Sequence, residues 1–131
     1  MSTSTGKRFT VAVAPSLRDV LAGLKKKPSN IAAGQLYTCV QRCATQLLPG
    51  HATDEGHLLT GPMRGVVYRV KQGRLRVFYT IDHSRNHVVL LDVLFRKKGD
   101  KSDAYEEIQR RIRHGDFDPQ FTECGHRRPA V

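Results

Sequence analysis

Three apolar stretches follow one another closely in the second half of the chain, at residues 66–72, 74–81 and 87–95. The first two alternate apolar with polar side chains, the period-two pattern of a half-buried strand. Gln72-Gly73 joins the first pair and residues 82–86 join the second, and both links have hairpin chemistry. The third stretch is nearly continuously apolar except for Asp92, as expected of a central strand that is covered on both faces or at least deeply buried. The sequence therefore predicts an antiparallel three-stranded meander.

Helical patterns lie before and after this meander. Residues 8–14 read as a further strand that stops at Pro15, and a first helix follows up to the lysines at 25–27. A second helix runs from an Asn30 cap to Pro49, and a last one from a Ser102 cap to Gly115. The order is strand, helix, helix, meander, helix, which predicts a two-layer α+β sandwich with the helices on one face of an antiparallel sheet.

The length of 131 residues fits a single domain, which we place at residues 8–115. We expect residues 1–7 to be disordered and the aperiodic residues 116–131 to form a loosely attached tail. Residues 48–65 are rich in Gly and Pro and predict a loop with a short strand turn around residues 57–59. The first strand can pair with the last strand of the meander or with an edge, and the pattern does not distinguish the two.

The formal net charge is +10, and residues 69–101 hold nine Lys or Arg against three Asp. Such a surplus on a small body favours a polyanionic partner, nucleic acid first and an acidic protein second. A solvated surface that aids solubility is the plain alternative. Three cysteines and no export signal or membrane-length apolar run argue against a disulfide scaffold and favour a reducing cytoplasm.

The first hairpin concentrates this charge in four cations, Arg69, Lys71, Arg74 and Arg76. Residues two apart share a face of a strand, so if the apolar residues pack on the helices the cations share the open face. Like charges there repel one another unless an anion lies among them. The hairpin therefore predicts a phosphate-binding face, with a merely solvated strand face as the alternative.

Residues 68–79 with Gly73, the apolar strand up to Phe95, the basic residues 96–98 and the segment 102–105 together resemble the RelE/ParE toxin superfamily, over residues 8–112. The resemblance implies a small α+β fold with a curved antiparallel sheet and a role as the toxin of a toxin–antitoxin pair. One branch of the superfamily cleaves ribosome-bound mRNA, and another inhibits DNA gyrase.

The resemblance also implies roles for individual residues. Arg69 and Lys71 would clamp the RNA backbone, Arg76 would hold the scissile phosphate, and Tyr105 would orient or deprotonate the ribose 2′-OH. The remaining candidates are basic residues expected to bind RNA or to neutralise the leaving oxygen: Arg74, Arg96, Lys97, Lys98 and Lys101. Gly99 stands where some family nucleases have an arginine, which leaves the identity of the acid open among its neighbours.

The chemistry is coherent without a cofactor, because fixed cations placed where the phosphorane gains charge lower the barrier. For Tyr105 the alternative is a core aromatic residue spaced with Ile108 and Ile112. His114 is a second candidate base, although it reads more simply as a cation at a helix end. The pattern Cys39, Cys43, Cys124 and His126 is too weak for zinc, and we expect no metal.

We therefore expect a cytoplasmic endoribonuclease toxin that cuts mRNA, in the ribosomal decoding site, by attack of the 2′-OH. The expected partners are mRNA, the ribosome and a neutralising antitoxin that covers the hairpin cations, with no membrane involved. Two other functions stay open: a gyrase-inhibiting toxin of the same fold, and an RNA-binding module without chemistry.

Overall fold

The computed structural model describes residues 8–25, 31–95 and 103–131. Its elements are β1 (Thr10–Val13), α1 (Pro15–Lys25), α2 (Ile31–Arg42), α3 (Leu48–His51), β2 (Tyr68–Gln72), β3 (Leu75–Asp82), β4 (His87–Phe95), α4 (Asp103–Arg113) and α5 (Asp118–Glu123). The expected disordered residues 1–7, the Asn30 cap and the Ser102 cap lie outside the described residues.

The four strands form one sheet in the order β1-β4-β3-β2. The meander is confirmed, since β2 pairs antiparallel with β3 and β3 with β4. Strand β1 pairs with β4, one of the two partners left open by the sequence, but the two run parallel. The α+β class is confirmed, while the sheet is mixed rather than wholly antiparallel. Side-chain alternation is the same in both kinds of pairing, so the pattern of β1 could not give its direction.

Helices cover both faces of the sheet, and the prediction that they lie on one face is wrong. On the first face, Leu21 of α1 and Val40 of α2 pack in one cluster with apolar residues of all three meander strands. On the second face, Ile108 and Ile112 of α4 pack with Phe78 of β3. Strands β3 and β4 carry apolar residues on both sides, and each side needs a cover.

The second helical segment is longer and less regular than a single α-helix. After α2 the backbone continues as a π-helical segment, Cys43–Leu47, and then as α3, with Pro49 inside the first turn of α3. Two 3₁₀ turns follow, Glu55–His57 and Gly61–Met63. Leu58 makes an isolated antiparallel bridge with Tyr68 at the free edge of β2, which confirms a strand-like turn at residues 57–59.

The end of the chain packs into the fold, so the expectation of a loosely attached tail is wrong. Phe117 and Phe121 are buried in the cluster on the second face. A ring nitrogen of His126 lies 2.6 Å from the carbonyl oxygen of Ile81, and Arg128 forms an ion pair with Asp118. Helix α5 spans only six residues, too few for a helical period to stand out in the sequence.

Candidate nucleic-acid interface

The register of the first hairpin brings three of the predicted cations onto the second face. Lys71 lies directly opposite Arg76, and Arg69 lies opposite Phe78, which belongs to the cluster of that face. Tyr68, Val70 and their partners point to the first face. The alternation predicted from the sequence is therefore confirmed for Arg69, Lys71 and Arg76.

Arg74 does not join these three residues. It follows Gly73, whose φ of +60° places it in the left-handed region that the hairpin turn requires. Arg74 is exposed and lines a groove together with residues of α2, which covers the first face. Its expected place on the open face with the other cations is wrong, because the turn rotates the chain between the two strands.

The face that carries Arg76 is not open, since α4 and α5 cover much of it. Arg76 is only 8% exposed. Its Nη1 donates to the carbonyl oxygens of Gly73 at 2.8 Å and Leu75 at 2.9 Å. These bonds fix the plane of the guanidinium at the turn end of the hairpin, while Lys71 opposite it is exposed.

Arg69 is half-buried, and its Nε is fully buried without a hydrogen-bond partner among the residues that the structure describes. A buried N–H group without an acceptor is costly and rare in folded proteins. This donor lies on the face that also carries Lys71 and Arg76.

Tyr105 of α4 is partly buried and packs against the cluster of the second face. Leu94 packs against the same cluster and is the register partner of Arg76. The tyrosine thus lies on the face that carries the three cations. This position agrees with its use as a packing residue, and its catalytic role stays a prediction.

Four further candidates, Arg96, Lys97, Lys98 and Lys101, lie outside the described residues. Their roles stay predictions from the resemblance. His114, the alternative base, is exposed and follows directly after α4.

Carboxylates also lie on the second face: Asp92 is the register partner of Phe78, which in turn lies opposite Arg69. Asp92 forms an ion pair with Arg111, which also contacts Glu107 at 2.9 Å. Burial raises the pKa of Asp92, although Arg111 opposes the shift. The guanidinium groups of Arg110 and Arg111 lower the pKa of Glu107 to about 2. The polar residue in the apolar strand β4 thus has a structural partner.

A cluster of tyrosines and histidines at the far end of the first hairpin was not predicted. The hydroxyl of the buried Tyr79 donates to the carbonyl oxygen of Ala52 at 2.6 Å. Nδ1 of His57 lies 3.0 Å from the same hydroxyl. The ring of Tyr68 stacks on Tyr79 with centroids 5.4 Å apart. Burial raises the pKa of Tyr79 and lowers that of His57, so these groups stay neutral and tie the loop to the sheet. His57 is too far from Tyr79 in sequence for any local pattern to show the contact.

Within residues 8–25, 31–95 and 103–131 no three His, Cys, Asp or Glu side chains gather as a metal site. Cys39 and Cys43 belong to the cluster on the first face, whereas Cys124 packs separately with Ala14 and Val89. None of the helices in the same ranges is long and apolar enough to cross a bilayer.

These features define a class of small α+β protein, in which a basic β-hairpin lies against a C-terminal helical layer. The toxin–antitoxin complex RelBE2 from Mycobacterium tuberculosis contains a similar chain, with a TM-score of 0.52 and 25% identity over 68% of this chain and 92% of that one. The archaeal RelE–RelB complex from Pyrococcus horikoshii gives a TM-score of 0.43 and 17% identity over 70% and 99% of the two chains. Isolated RelE from E. coli gives a TM-score of 0.44 and 17% identity over 80% of this chain and 98% of that one.

No family model matches the sequence, and no curated protein matches it. The structural similarity to RelBE2 therefore carries the assignment. The chain has the fold of the RelE-like toxin superfamily, and the resemblance found in the sequence is confirmed.

Proposed function

We propose that this protein is the toxin of a toxin–antitoxin pair and acts as an endoribonuclease on mRNA. The observation that carries the proposal is the basic face of the first hairpin, where Lys71 lies opposite Arg76 and the buried Nε of Arg69 has no hydrogen-bond partner among the residues that the structure describes. The exposed positive charge of Lys71 and the buried N–H group of Arg69 support a polyanionic ligand at this face. The fold shared with a chain of a toxin–antitoxin complex supports the toxin assignment.

In the proposed reaction the 2′-OH of the substrate attacks the adjacent phosphorus, and the bond to the 5′-oxygen breaks. Arg69 and Lys71 hold the RNA backbone, and Arg76 binds the scissile phosphate as negative charge develops on it. The bonds from Arg76 to Gly73 and Leu75 support this role, because a cation held in place needs little reorganisation during the reaction.

Tyr105 orients or deprotonates the attacking hydroxyl in this proposal, and the basic residues Lys97, Lys98 and Lys101 stabilise the leaving oxygen. The resemblance to the nuclease branch supports both roles. Binding to the ribosome would align the RNA for attack, which explains how a site without a complete acid and base pair can work.

An antitoxin is the second partner in the proposal. RelBE2 is a toxin–antitoxin complex, and a basic toxin surface calls for an acidic or amphipathic segment in its neutralising partner. A neighbouring gene that encodes such a protein, and whose product abolishes growth arrest when co-expressed, is the expected observation.

The decisive test is primer extension on translated mRNA after induction of the protein. We expect cuts in phase with codons, and a loss of cleavage of about 10²- to 10³-fold for Arg76→Ala, as for removal of a donor that stabilises a developing oxyanion. Arg127→Gln removes the same charge from an exposed residue and is the matched control. Stalled gyrase–DNA complexes instead of mRNA cuts would support the gyrase-inhibiting branch, and RNA binding without growth arrest would support a non-catalytic module.

A further inference from the structure

A groove of about 720 Å³ lies between α2 and the turn of the first hairpin. Leu75 and Phe95, which are register partners where β3 begins and β4 ends, line it together with Cys39 of α2. Cys39 and Leu75 belong to the first-face cluster, so the groove lies on the side of the sheet opposite Arg76. The proposed reaction assigns no contact with RNA to any residue that lines this groove.

The lining of the groove combines apolar surface with a small number of polar residues, as ligand sites commonly do. The ring of Phe95 is 42% exposed, and Val20 on α1 is the other large apolar side chain exposed in the described part of the chain. The polar lining residues are Gln35, Thr38 and Gln72. An exposed aromatic ring beside amide groups suits an unpaired nucleobase, which stacks on the ring and forms hydrogen bonds at its edge.

Arg42 and Arg74 bring positive charge to the groove, one from α2 and the other from the hairpin turn. Both are exposed, and neither forms an ion pair with a carboxylate of the described residues. No Asp or Glu is found among the described residues that line the groove. The groove therefore favours an anionic ligand, and arginine binds phosphate groups well.

The hairpin turn joins this groove to Arg76, the residue proposed to bind the scissile phosphate. Nη1 of Arg76 donates to the carbonyl oxygens of Gly73 and Leu75, and both of these residues also line the groove. A single RNA strand bound at Arg76 on the second face reaches the groove by passing around this turn. An acidic protein segment would match the charge equally well, but the common turn and the exposed ring of Phe95 favour RNA.

We propose that the groove is a subsite for a nucleotide that flanks the cleaved bond of a single-stranded RNA. Its base stacks on Phe95, and Arg42 and Arg74 bind the neighbouring phosphates. The inference rests on the proposed function, because it takes RNA as the ligand and Arg76 as the residue at the scissile phosphate. Since every base has a flat face, the subsite strengthens binding at all sequences.

The test compares two ligands of equal length and backbone charge, a 2′-O-methyl oligouridine and an abasic 2′-O-methyl oligomer. Neither can be cleaved by its own hydroxyl, so fluorescence anisotropy with the full-length protein measures binding alone. We expect the native protein to bind the oligouridine about tenfold more tightly, as one stacked base contributes. Phe95→Ala should remove most of this difference, whereas Val20→Ala, which truncates the other exposed apolar side chain, should keep it.

A photochemical crosslink gives the position of the base in the native protein, independently of whether the variants fold. An oligouridine that carries 5-iodouracil reacts on illumination with side chains in contact with the base, and mass spectrometry of the peptides identifies them. We expect the crosslink at Phe95. Equal affinity of the native protein for the two oligomers, or crosslinks confined to other parts of the chain, would overturn the proposal.

Charge variants separate RNA from an acidic protein as the ligand. Arg42→Gln with Arg74→Gln should weaken the binding of oligouridine about tenfold, and Arg18→Gln, an exposed charge on α1, should weaken it less. Polyglutamate of equal charge should bind less tightly than oligouridine. If it binds the native protein more tightly and loses this affinity in the double variant, the groove takes an acidic protein and the proposal fails.

The subsite and the nuclease activity can fail separately. Codon-phased mRNA cuts together with equal binding of the two oligomers would keep the nuclease and reject the subsite. Tighter binding of oligouridine through Phe95 without any mRNA cuts would keep the subsite as an RNA-binding site and reject the nuclease.

Discussion

Two groups of cations on this protein differ in their pairing with carboxylates. Arginines of α4, of the segment after α5 and of the turn between β3 and β4 have carboxylate partners: Arg111 with Asp92 and Glu107, Arg110 with Glu107, Arg128 with Asp118, and Arg85 with Asp82. Lys71 and Arg69 of the first hairpin have no carboxylate within 4 Å in the part of the chain that the structure describes. In the first group, Arg111 links α4 to β4 and Arg128 links the end of the chain to α5, while Arg110 and Arg85 pair with carboxylates three residues away. The second group lies beside its own like charges. A surplus of charge therefore indicates a partner only after the charges used by the structure are set aside.

Among the variants that test this difference between the two groups, the largest change in stability is expected at Arg111. Arg111→Met leaves the carboxylate of Asp92 in an apolar strand without its cation. We expect the free energy of unfolding to fall by about 2 to 3 kcal/mol, slightly less than the range of about 3 to 5 kcal/mol for fully buried pairs, because Arg111 is partly exposed. Urea unfolding at neutral pH measures this change in the free energy of unfolding. Arg113→Met, an exposed arginine on the same helix, is the control. Equal, small losses for both variants would show that the Asp92 pair contributes little.

The loss of stability at acid pH is the next test of the ion pairs in the first group. Hydrogen bonds from Ser84 and Arg85 lower the pKa of Asp82, and Arg128 lowers that of Asp118. A carboxylate whose pKa is lower in the folded state stabilises the fold above its unfolded pKa of about 4, and that stability is lost as the pH falls through the folded pKa. We expect the urea midpoint to decline steadily below about pH 4 and the decline to be smaller in Asp82→Asn. An unchanged decline in that variant would show that Asp82 does not contribute to the loss of stability at acid pH.

The fold was predictable where its information is local. Period-two alternation and the turn residues around Gly73 define the meander and place Arg69 and Lys71 on one face. The direction of β1 and the side on which α4 packs depend on contacts across many residues, and these were missed. The nearly continuous apolar run of β4 was the available signal that both faces are covered.

In the candidate site too, features set by local spacing were predictable and features set by distant contacts were not. The shared face of Lys71 and Arg76 follows from their spacing, whereas the burial of Arg76 depends on where α4 and α5 lie. Glu107 and Arg111 are spaced as a helical ion pair and could have been found by that spacing. The link from Arg111 to Asp92 joins residues in different elements, and no pattern in either element predicts it.

The smallest expected change in stability, and the sharpest contrast with Arg111, comes from Lys71→Gln. This variant removes one charge of the cross-strand pair with Arg76, so we expect the free energy of unfolding to stay within about 0.5 kcal/mol of the native value or to rise. RNA binding should weaken at every sequence, and the slope of log affinity against log salt should decrease by about one. A 2′-O-methyl RNA, which cannot be cleaved by its own hydroxyl, allows affinity to be measured without reaction, with Arg127→Gln as the control. A loss of stability above 1 kcal/mol with an unchanged salt slope would place Lys71 among the structural cations, and the contrast between the two groups would fail at the residue where it is clearest.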